Sequence, residues 1–139
     1  MKRLLLLLLF ISIASFGQSN NAEWNTTVGS SPIFPGCERF YKKETKNRKC
    51  FNKKIQEHIK NNFIYPEEAQ SNGIEGRVFV GFIIEKDGSI ESIRTKEGHE
   101  ILQKEAKRIC SLLPKMTPGT INGAIVRVPF SFPIYFHLN

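Results

Sequence analysis

Residues 76–84 read GRVFVGFII and are followed by EKDGSIESIRT at residues 85–95. Apolar side chains recur at every second position of the first stretch: Val78, Val80, Phe82 and Ile84. This spacing is typical of a strand with one buried face. The Asp87-Gly88 pair then indicates a tight turn, and the more polar residues 89–95 indicate a returning strand. These residues predict an antiparallel hairpin at the centre of the domain.

Helical patterns flank this hairpin on both sides. Upstream, apolar residues recur every four positions: Phe51, Ile55, Ile59 and Phe63. They predict one face of a helix over residues 52–62. A short helix is expected to start at Pro66 and to stop at Gly73, because proline suits a first helical turn and glycine suits a helix end. Downstream, residues 101–113 repeat at helical spacing until Pro114 ends the helix.

The last predicted strand begins near residue 124 and contains Pro129 and Pro133. Proline cannot donate to a ladder of hydrogen bonds, so a strand that contains it belongs at a sheet edge. Such an edge can accept an extended peptide by strand addition. The prolines could equally serve to prevent pairing at this edge. Both interpretations, an edge that accepts a strand and an edge that is protected from pairing, stay open here. The predicted fold is α+β, a three-stranded antiparallel sheet packed against two helices, with the last strand at the edge.

The N-terminus has the pattern of a secretory signal peptide. A basic start, Met1-Lys2-Arg3, precedes a mainly apolar run over residues 4–16, and Ser15 and Gly17 are small residues at the expected cleavage site. We therefore predict a signal peptide over residues 1–17 and an exported mature chain. An uncleaved membrane anchor is the alternative. Residues 18–36, which are rich in Ser, Asn, Thr, Gly and Pro, are predicted to be a flexible lead-in.

The next segment is strongly basic and carries two of the three cysteines. Eight of the 20 Lys and Arg residues fall within residues 38–54, against two glutamates. Cys37 and Cys50 bracket most of them, and in an oxidising compartment a disulfide between them would stabilise the fold by about 3 kcal/mol. We predict a basic, disulfide-closed extension over residues 37–51. Cys110, within an apolar helical pattern, is expected to be a buried thiol.

Catalytic and metal-binding patterns do not emerge from the sequence. The three histidines, His58, His99 and His137, lack the spacing of metal ligands. The nucleophile-elbow pattern G-x-S-x-G is missing as well. We therefore predict no catalytic residues, no metal, no cofactor and no enzymatic activity. Nucleic acid is not an expected partner, because the chain is predicted to be exported and has no recognition motif for it.

Several short motifs occur in an order that resembles the TonB C-terminal domain, the periplasmic end of the TonB energy transducers of Gram-negative bacteria. They are YPEEA at 65–69, GIEGRV at 73–78, DGSI at 87–90, PG at 118–119 and VRVPF at 126–130. The resemblance covers residues 52–139. The stretch FPGCE at 34–38, together with Cys50, is similar to an extension found before this domain in some stand-alone members. The resemblance implies a periplasmic location, or attachment to the inner membrane if the N-terminal segment is retained.

The resemblance implies a binding role. In the family, a short extended segment of a TonB-dependent outer-membrane transporter, the TonB box, adds as a strand beside the last strand of the domain. Proton-motive energy from an inner-membrane motor is then relayed to the transporter, so motor components are further implied partners. Carried onto this chain, the docking edge is about residues 124–132. The implied partner-binding residues are Tyr65, Pro66, Ile125, Arg127, Val128, Pro129 and Phe130.

Within that edge, main-chain groups would supply affinity and the side chains of Ile125 and Arg127 selectivity. Pro129 removes one donor, so pairing there is expected to be incomplete. Tyr65-Pro66 would lie in the family's transporter-contacting region before the first strand.

Three features depart from the family pattern. The chain shows no anchor of normal length and no long spacer to cross the periplasm, and Met116 stands where an aromatic residue usually precedes Pro118-Gly119. The alternative function is therefore a periplasmic scaffold or interaction domain that binds an anionic envelope component through residues 38–54. Pairing of two exposed edges would give a homodimer, which is also open.

Two sets of variants would separate the hypotheses. Transporter docking predicts that Val128→Pro abolishes binding while charge reversal at Lys46 and Lys49 does little. Binding through residues 38–54 predicts the reverse, with steep salt sensitivity.

Overall fold

A three-stranded antiparallel sheet forms the centre of the fold. The computed structural model describes residues 29–139, so the predicted signal peptide and most of the predicted lead-in lie outside the described residues. The middle strand is β2 (Gly76–Ile84), with β3 (Ile90–Lys96) on one side and β6 (Val128–Phe136) on the other. The prediction that the last strand lies at a sheet edge is confirmed.

The core lies between one face of this sheet and the helices. The four alternating residues of β2 are at most 2 % exposed: Val78, Val80, Phe82 and Ile84. Helix α3 (Glu100–Ser111) packs across β3 and β2, and most of its apolar residues are fully buried: Leu102, Ala106, Ile109 and Cys110. Helix α1 (Glu44–Asn62) lies along β6, where Phe51 and Phe130 have their ring centroids 4.9 Å apart. The short helix α2 (Glu67–Ser71) also contacts α3.

Helix α1 begins well before the residues for which the sequence predicted it. It starts at Glu44 rather than near residue 52, so the predicted extension over residues 37–51 ends inside the helix. A 3₁₀ turn (Glu38–Phe40) precedes it. Residues 44–50 carry almost no apolar side chains and therefore gave no periodic signal. Lys and Arg are nevertheless good helix formers, and one acidic residue, Glu44, lies in the first turn.

A second, small antiparallel sheet was not predicted. It consists of β1 (Gly29–Ser30), β4 (Gly119–Ile121) and β5 (Ala124–Val126), in the order β1-β4-β5. The prediction of one last strand starting near residue 124 was wrong in this respect: residues 124–126 pair with β4, and only from Val128 does the chain pair with β2. Asn122 and Gly123, both with positive φ, form a two-residue turn that folds β5 back onto β4.

The turn of the central hairpin requires its glycine. Gly88 has a φ of +86°, and a Cβ atom there would lie 1.8 Å from the Met116 carbonyl oxygen. The Met116 N–H donates to the Gly88 carbonyl at 2.9 Å, which ties the hairpin to the segment after α3. Met116 is itself buried, so this aliphatic side chain fills the core at the position where the family usually has an aromatic one.

The remaining cysteine is part of the core, as predicted. Cys110 lies on the buried face of α3 and is fully buried. Burial raises the pKa of its thiol to about 12, so the thiol stays protonated and unreactive at neutral pH. Within residues 29–139, none of the helices combines the length and the apolar character that a membrane span requires.

Candidate partner-binding edge

The backbone direction along β6 follows from the central hairpin. The Glu85 N–H donates to the Ser89 carbonyl at 2.9 Å, so the backbone of Glu85 faces β3. Backbone groups alternate in direction along a strand, so odd-numbered residues of β2 face β3 and even-numbered ones face β6. A bulge opposite residues 81–83 does not disturb this alternation, because its extra residue, Ser92, lies in β3.

Alternate residues of β6 therefore point their backbone groups to the open edge. The register pairs Ile84 with Val128 and Phe82 with Phe130, so the even-numbered residues of β6 bond to β2. The residues directed outward are Pro129, Ser131, Pro133 and Tyr135. Both prolines thus stand where no bond to β2 is lost. The N–H donors left on this part of the edge are those of Ser131 and Tyr135.

The strand β5, which precedes β6 in the chain, lies at the edge of the small sheet. Ile121 and Ala124 flank the two-residue turn and form a hydrogen-bonded pair, so the next residue, Ile125, directs its backbone outward. Its side chain is 50 % exposed. Ile125 therefore adds an N–H donor that no proline removes.

Arg127 connects β5 to β6 and is held by an acidic partner. Its Nε lies 3.1 and 2.9 Å from the two carboxylate oxygens of Glu85, and a terminal nitrogen lies 2.9 Å from Oε1. This pairing raises the pKa of the Arg127 guanidinium. The contact ties the junction of the two sheets to the end of β2. The side chain that was predicted to provide selectivity therefore has an intramolecular partner.

Arg127→Gln is expected to lower the free energy of unfolding only slightly, because exposed ion pairs contribute little. The Arg127 side chain is 54 % exposed and that of Glu85 24 %. Urea unfolding of Arg127→Gln, Glu85→Gln and the double variant would measure the coupling. A coupling energy as large as that of a buried ion pair would contradict this account of the junction.

Tyr65 and Pro66 lie at the other end of β6. The centroid of the Tyr65 ring lies 6.0 Å from that of Phe63 and 5.9 Å from that of Phe136. The Tyr65 hydroxyl donates to the Ile74 carbonyl. Pro66 precedes α2 as its N-cap residue. Since β6 has nine residues, Phe136 lies roughly 27 Å from Val128 at about 3.4 Å per residue. The structure thus brings Ile125 to Phe130 together, and places Tyr65 and Pro66 apart from them.

Val128 and Phe130 direct their backbone groups toward β2, and the side chain of Phe130 packs against the core. The Phe130 ring lies 5.6 Å from that of Phe82 as well as against Phe51. Val128→Pro would remove a bond to β2, and so it is a poor probe of docking alone. The outward residues Ser131 and Tyr135 were missed at the sequence level. The four-residue spacing of Pro129 and Pro133 was the signal that could have identified them.

The basic segment forms a separate surface. We define the basic ridge as the exposed lysines of this segment: Lys42, Lys43, Lys46, Lys49 and Lys53. Lys46, Lys49 and Lys53 share one face of α1. The predicted disulfide between Cys37 and Cys50 is present, with Cα atoms 5.9 Å apart, and it joins the start of this segment to α1.

Carboxylates near the basic ridge are engaged elsewhere. Glu44 pairs with Arg48 at 3.6 Å, and Glu57 pairs with Lys54 at 3.7 Å. Glu38 accepts the Gly36 N–H, and backbone hydrogen bonds lower the pKa of its carboxyl. The ridge therefore presents net positive charge. Among residues 29–139, no three His, Cys, Asp or Glu side chains gather to form a metal site.

Comparison with known proteins identifies the family. Residues 61–138 match the family described as the Gram-negative bacterial TonB protein C-terminal. The chain belongs to this TonB C-terminal family. The match begins at the end of α1 and includes β6, but it leaves out the disulfide and the basic ridge.

The chain is also similar to solved structures of TonB C-terminal domains. The TonB C-terminal domain of Helicobacter pylori is 33 % identical, with a TM-score of 0.51, over 64 % of this chain and 81 % of that one. That of Pseudomonas aeruginosa is 31 % identical, with a TM-score of 0.44, over 54 % of this chain and 77 % of that one. The likeness to the Helicobacter pylori domain confirms the α+β fold predicted from the sequence.

A match of another kind is to a putative competence-damage inducible protein of Clostridium botulinum. It is 30 % identical over 91 residues, which cover 66 % of this chain and 22 % of that protein. The chain thus spans about a fifth of the length of this relative.

Proposed function

We propose that this protein is a periplasmic, non-catalytic binding module that docks TonB-dependent outer-membrane transporters. An extended segment of the transporter, its TonB box, would add as a strand along the edge formed by β5 and β6. The observation that supports the proposal is the set of outward-facing backbone groups at Ile125, Ser131 and Tyr135 on an edge strand. Main-chain hydrogen bonds to an added strand are the source of affinity in this mode of recognition.

The two prolines determine the kind of docking that the edge supports. A regular edge offers an N–H donor at every second residue, whereas β6 has lost the donors at Pro129 and Pro133. Outward carbonyls remain at Pro129, Ser131, Pro133 and Tyr135. Pairing is therefore incomplete, as expected for a contact that forms and breaks repeatedly. The same loss reduces pairing between two copies of this edge, so docking is favoured over a homodimer.

A role in transport would also need a source of force. In the proposal, the exported chain either cooperates with inner-membrane motor components or competes with a full transducer for the transporter. Titration of the purified full chain with TonB-box peptides from the host's transporters tests the docking step. We expect saturable amide shifts at Ile125, Ser131 and Tyr135. Saturable binding with shifts elsewhere and none at these residues would contradict the proposal.

The basic ridge supports a second candidate function, binding of an anionic envelope component. Its lysines are exposed, and the carboxylates nearest to them are engaged in other contacts. Such an interaction would be electrostatic and would weaken as salt shortens the range of charge attraction.

The double variant Lys46→Glu/Lys49→Glu separates the two candidates. We expect it to leave the affinity for TonB-box peptides within about twofold, because both lysines lie on the outer face of α1 and away from the edge. Binding to anionic lipid vesicles, if the second function operates, would fall at least tenfold at low salt. Lys46→Gln/Lys49→Gln is the matched control for charge loss without reversal. A large loss of peptide affinity in the reversed variant would contradict docking through the edge.

A further inference from the structure

The lysines that the basic ridge places on α1 are close enough to repel one another. Lys46, Lys49 and Lys53 follow at intervals of three and four residues, so their side chains are neighbours on the helix surface. Neither Lys46 nor Lys49 has an aspartate or glutamate three or four positions away, and Glu57 ends the run four residues after Lys53. Like charges at these spacings destabilise a helix. An anionic partner would relieve this repulsion.

A tight turn before α1 adds two more lysines and an exposed tyrosine. The Lys43 N–H donates to the Phe40 carbonyl at 2.8 Å, across Tyr41 and Lys42. Lys42 has a φ of 61°, in the left-handed region where a turn of this kind usually has glycine. Tyr41 is 57 % exposed, and Lys42 Nζ lies 5.5 Å from the centroid of its ring. The turn thus presents a lysine, at a position that glycine suits better, beside an exposed aromatic ring.

The disulfide joins this turn to the face of α1 that carries the lysines. Its second cysteine, Cys50, comes four residues after Lys46 and three before Lys53, and therefore lies on their face of the helix. With about 3.6 residues per turn, Lys49 and Lys53 each lie roughly 160° around the helix from buried Phe51. The basic ridge and Tyr41 therefore form one convex surface, directed away from the sheet.

The chemistry of this surface favours an array of mobile phosphates over one fixed anion. Arginine binds a single phosphate through paired, planar hydrogen bonds, whereas lysine is a point charge on a flexible stem. The segment's two arginines are engaged, because Arg39 Cζ lies 4.6 Å from the centroid of the Phe40 ring and Arg48 pairs with Glu44. Clusters of about four to eight basic residues are typical of binding to anionic lipid. An exposed tyrosine, with an apolar ring and a polar hydroxyl, suits the surface of a bilayer.

We propose that the basic ridge, together with Tyr41, attaches the protein to the surface of a bilayer that contains anionic phospholipids. The lysine ammonium groups lie among the lipid phosphates, and the Tyr41 ring enters the interface between headgroups and acyl chains. This inference rests on the second candidate function, whose partner it names, and it concerns residues that precede the match to the TonB C-terminal family. Because the surface is directed away from the sheet, an attached chain keeps the β6 edge open to a transporter segment.

Sedimentation with vesicles tests the attachment. The full chain is added to vesicles of equal parts phosphatidylglycerol and phosphatidylcholine, and to vesicles of phosphatidylcholine alone. The difference in binding isolates the attraction of charge, because an apolar N-terminal segment would bind both alike. We expect binding to the anionic vesicles to exceed binding to the neutral ones and to fall with added salt.

Variants with fewer charges locate the binding surface. Lys46→Gln/Lys49→Gln should lower the charge-dependent partition coefficient at least about tenfold, since one basic residue contributes about fivefold at an anionic surface. Arg94→Gln/Lys96→Gln is the matched control. It removes two exposed basic residues of β3 on the sheet face opposite the helices, and should change binding by less than about twofold. An equal loss in both double variants would overturn the assignment to the ridge.

The tyrosine distinguishes a bilayer from a soluble polyanion. Tyr41→Ser should weaken binding to the anionic vesicles at least about threefold, because the ring no longer leaves water. Tyr135→Ser, which removes an exposed tyrosine on the sheet face opposite the helices, should not weaken it. Vesicle binding that is indifferent to Tyr41→Ser would overturn the proposal.

A titration with soluble polyphosphate separates this inference from the function on which it rests. If the native chain binds polyphosphate, Lys46→Gln/Lys49→Gln does not, and the anionic vesicles are not bound, the attachment to a bilayer fails while the second candidate function stands. Binding of neither probe would overturn both. Vesicle binding that depends on the ridge lysines and on Tyr41 would support both.

Discussion

Replacing Ser131 by proline is expected to weaken binding of a TonB-box peptide by at least about tenfold. Ser131 is the outward residue between Pro129 and Pro133, and its N–H is the donor at the centre of the β6 edge. Its loss leaves a carbonyl of the added strand without a partner. A missing hydrogen bond of this kind costs about 1–3 kcal/mol, and 1.4 kcal/mol is a factor of ten in affinity.

The variant should leave the fold intact. The Ser131 N–H faces away from β2, so the ladder between β2 and β6 keeps all its bonds, and two prolines already occupy equivalent positions. We expect the free energy of unfolding to change by less than about 1 kcal/mol. Ser131→Ala, which retains the N–H, is the matched control and should bind the peptide as the native chain does.

Calorimetric titration of the three proteins with one peptide gives the comparison. Native affinity in Ser131→Pro, with the fold unchanged, would mean that the partner does not use this edge. An equal loss in Ser131→Ala would instead assign the effect to the side chain.

Removing the disulfide is expected to lower the free energy of unfolding by about 3 kcal/mol. The bridge joins Cys37, which is fully buried, to Cys50 in the second turn of α1. It restricts the unfolded chain between them, and loops of this length give about 3 kcal/mol in the chain-entropy account. It also holds the 3₁₀ turn against α1.

Denaturant unfolding with and without reductant measures this contribution. The native chain and Cys110→Ala, which keeps the bridge, should both lose about 3 kcal/mol on reduction. Cys37→Ala/Cys50→Ala should start lower and show no further loss. Stability that is indifferent to reductant in the native chain would contradict a stabilising role for the bridge.

Much of the fold could be predicted because its core strands and helices carry strong periodic signals. The alternation along β2 predicted its bounds and its buried face, and the prolines placed β6 at the edge. The first turns of α1 could not be predicted, because residues 44–50 are held by the disulfide and by buried Asn47 rather than by an apolar stripe. The small sheet was missed because β1, β4 and β5 have only two or three residues each.

The candidate edge could be proposed from the sequence as a segment but not as a set of atoms. The resemblance implied a docking edge over about residues 124–132 and did not show which backbone groups face outward. That direction depends on the hairpin turn at Glu85 and on the register of β2 with β6. The partner of Arg127 was equally hidden, because Glu85 is distant in the chain.

Hydrogen exchange at individual amides tests the central claim most directly. In the free protein, the N–H groups of Ile125, Ser131 and Tyr135 should exchange fast, while those of Phe130 and Phe132, which bond to β2, should be protected. Saturation with a TonB-box peptide is predicted to slow exchange at Ser131 and Tyr135 and to leave Phe130 and Phe132 unchanged. Binding of the peptide with Ser131 and Tyr135 still exchanging as in the free protein would contradict strand addition at this edge.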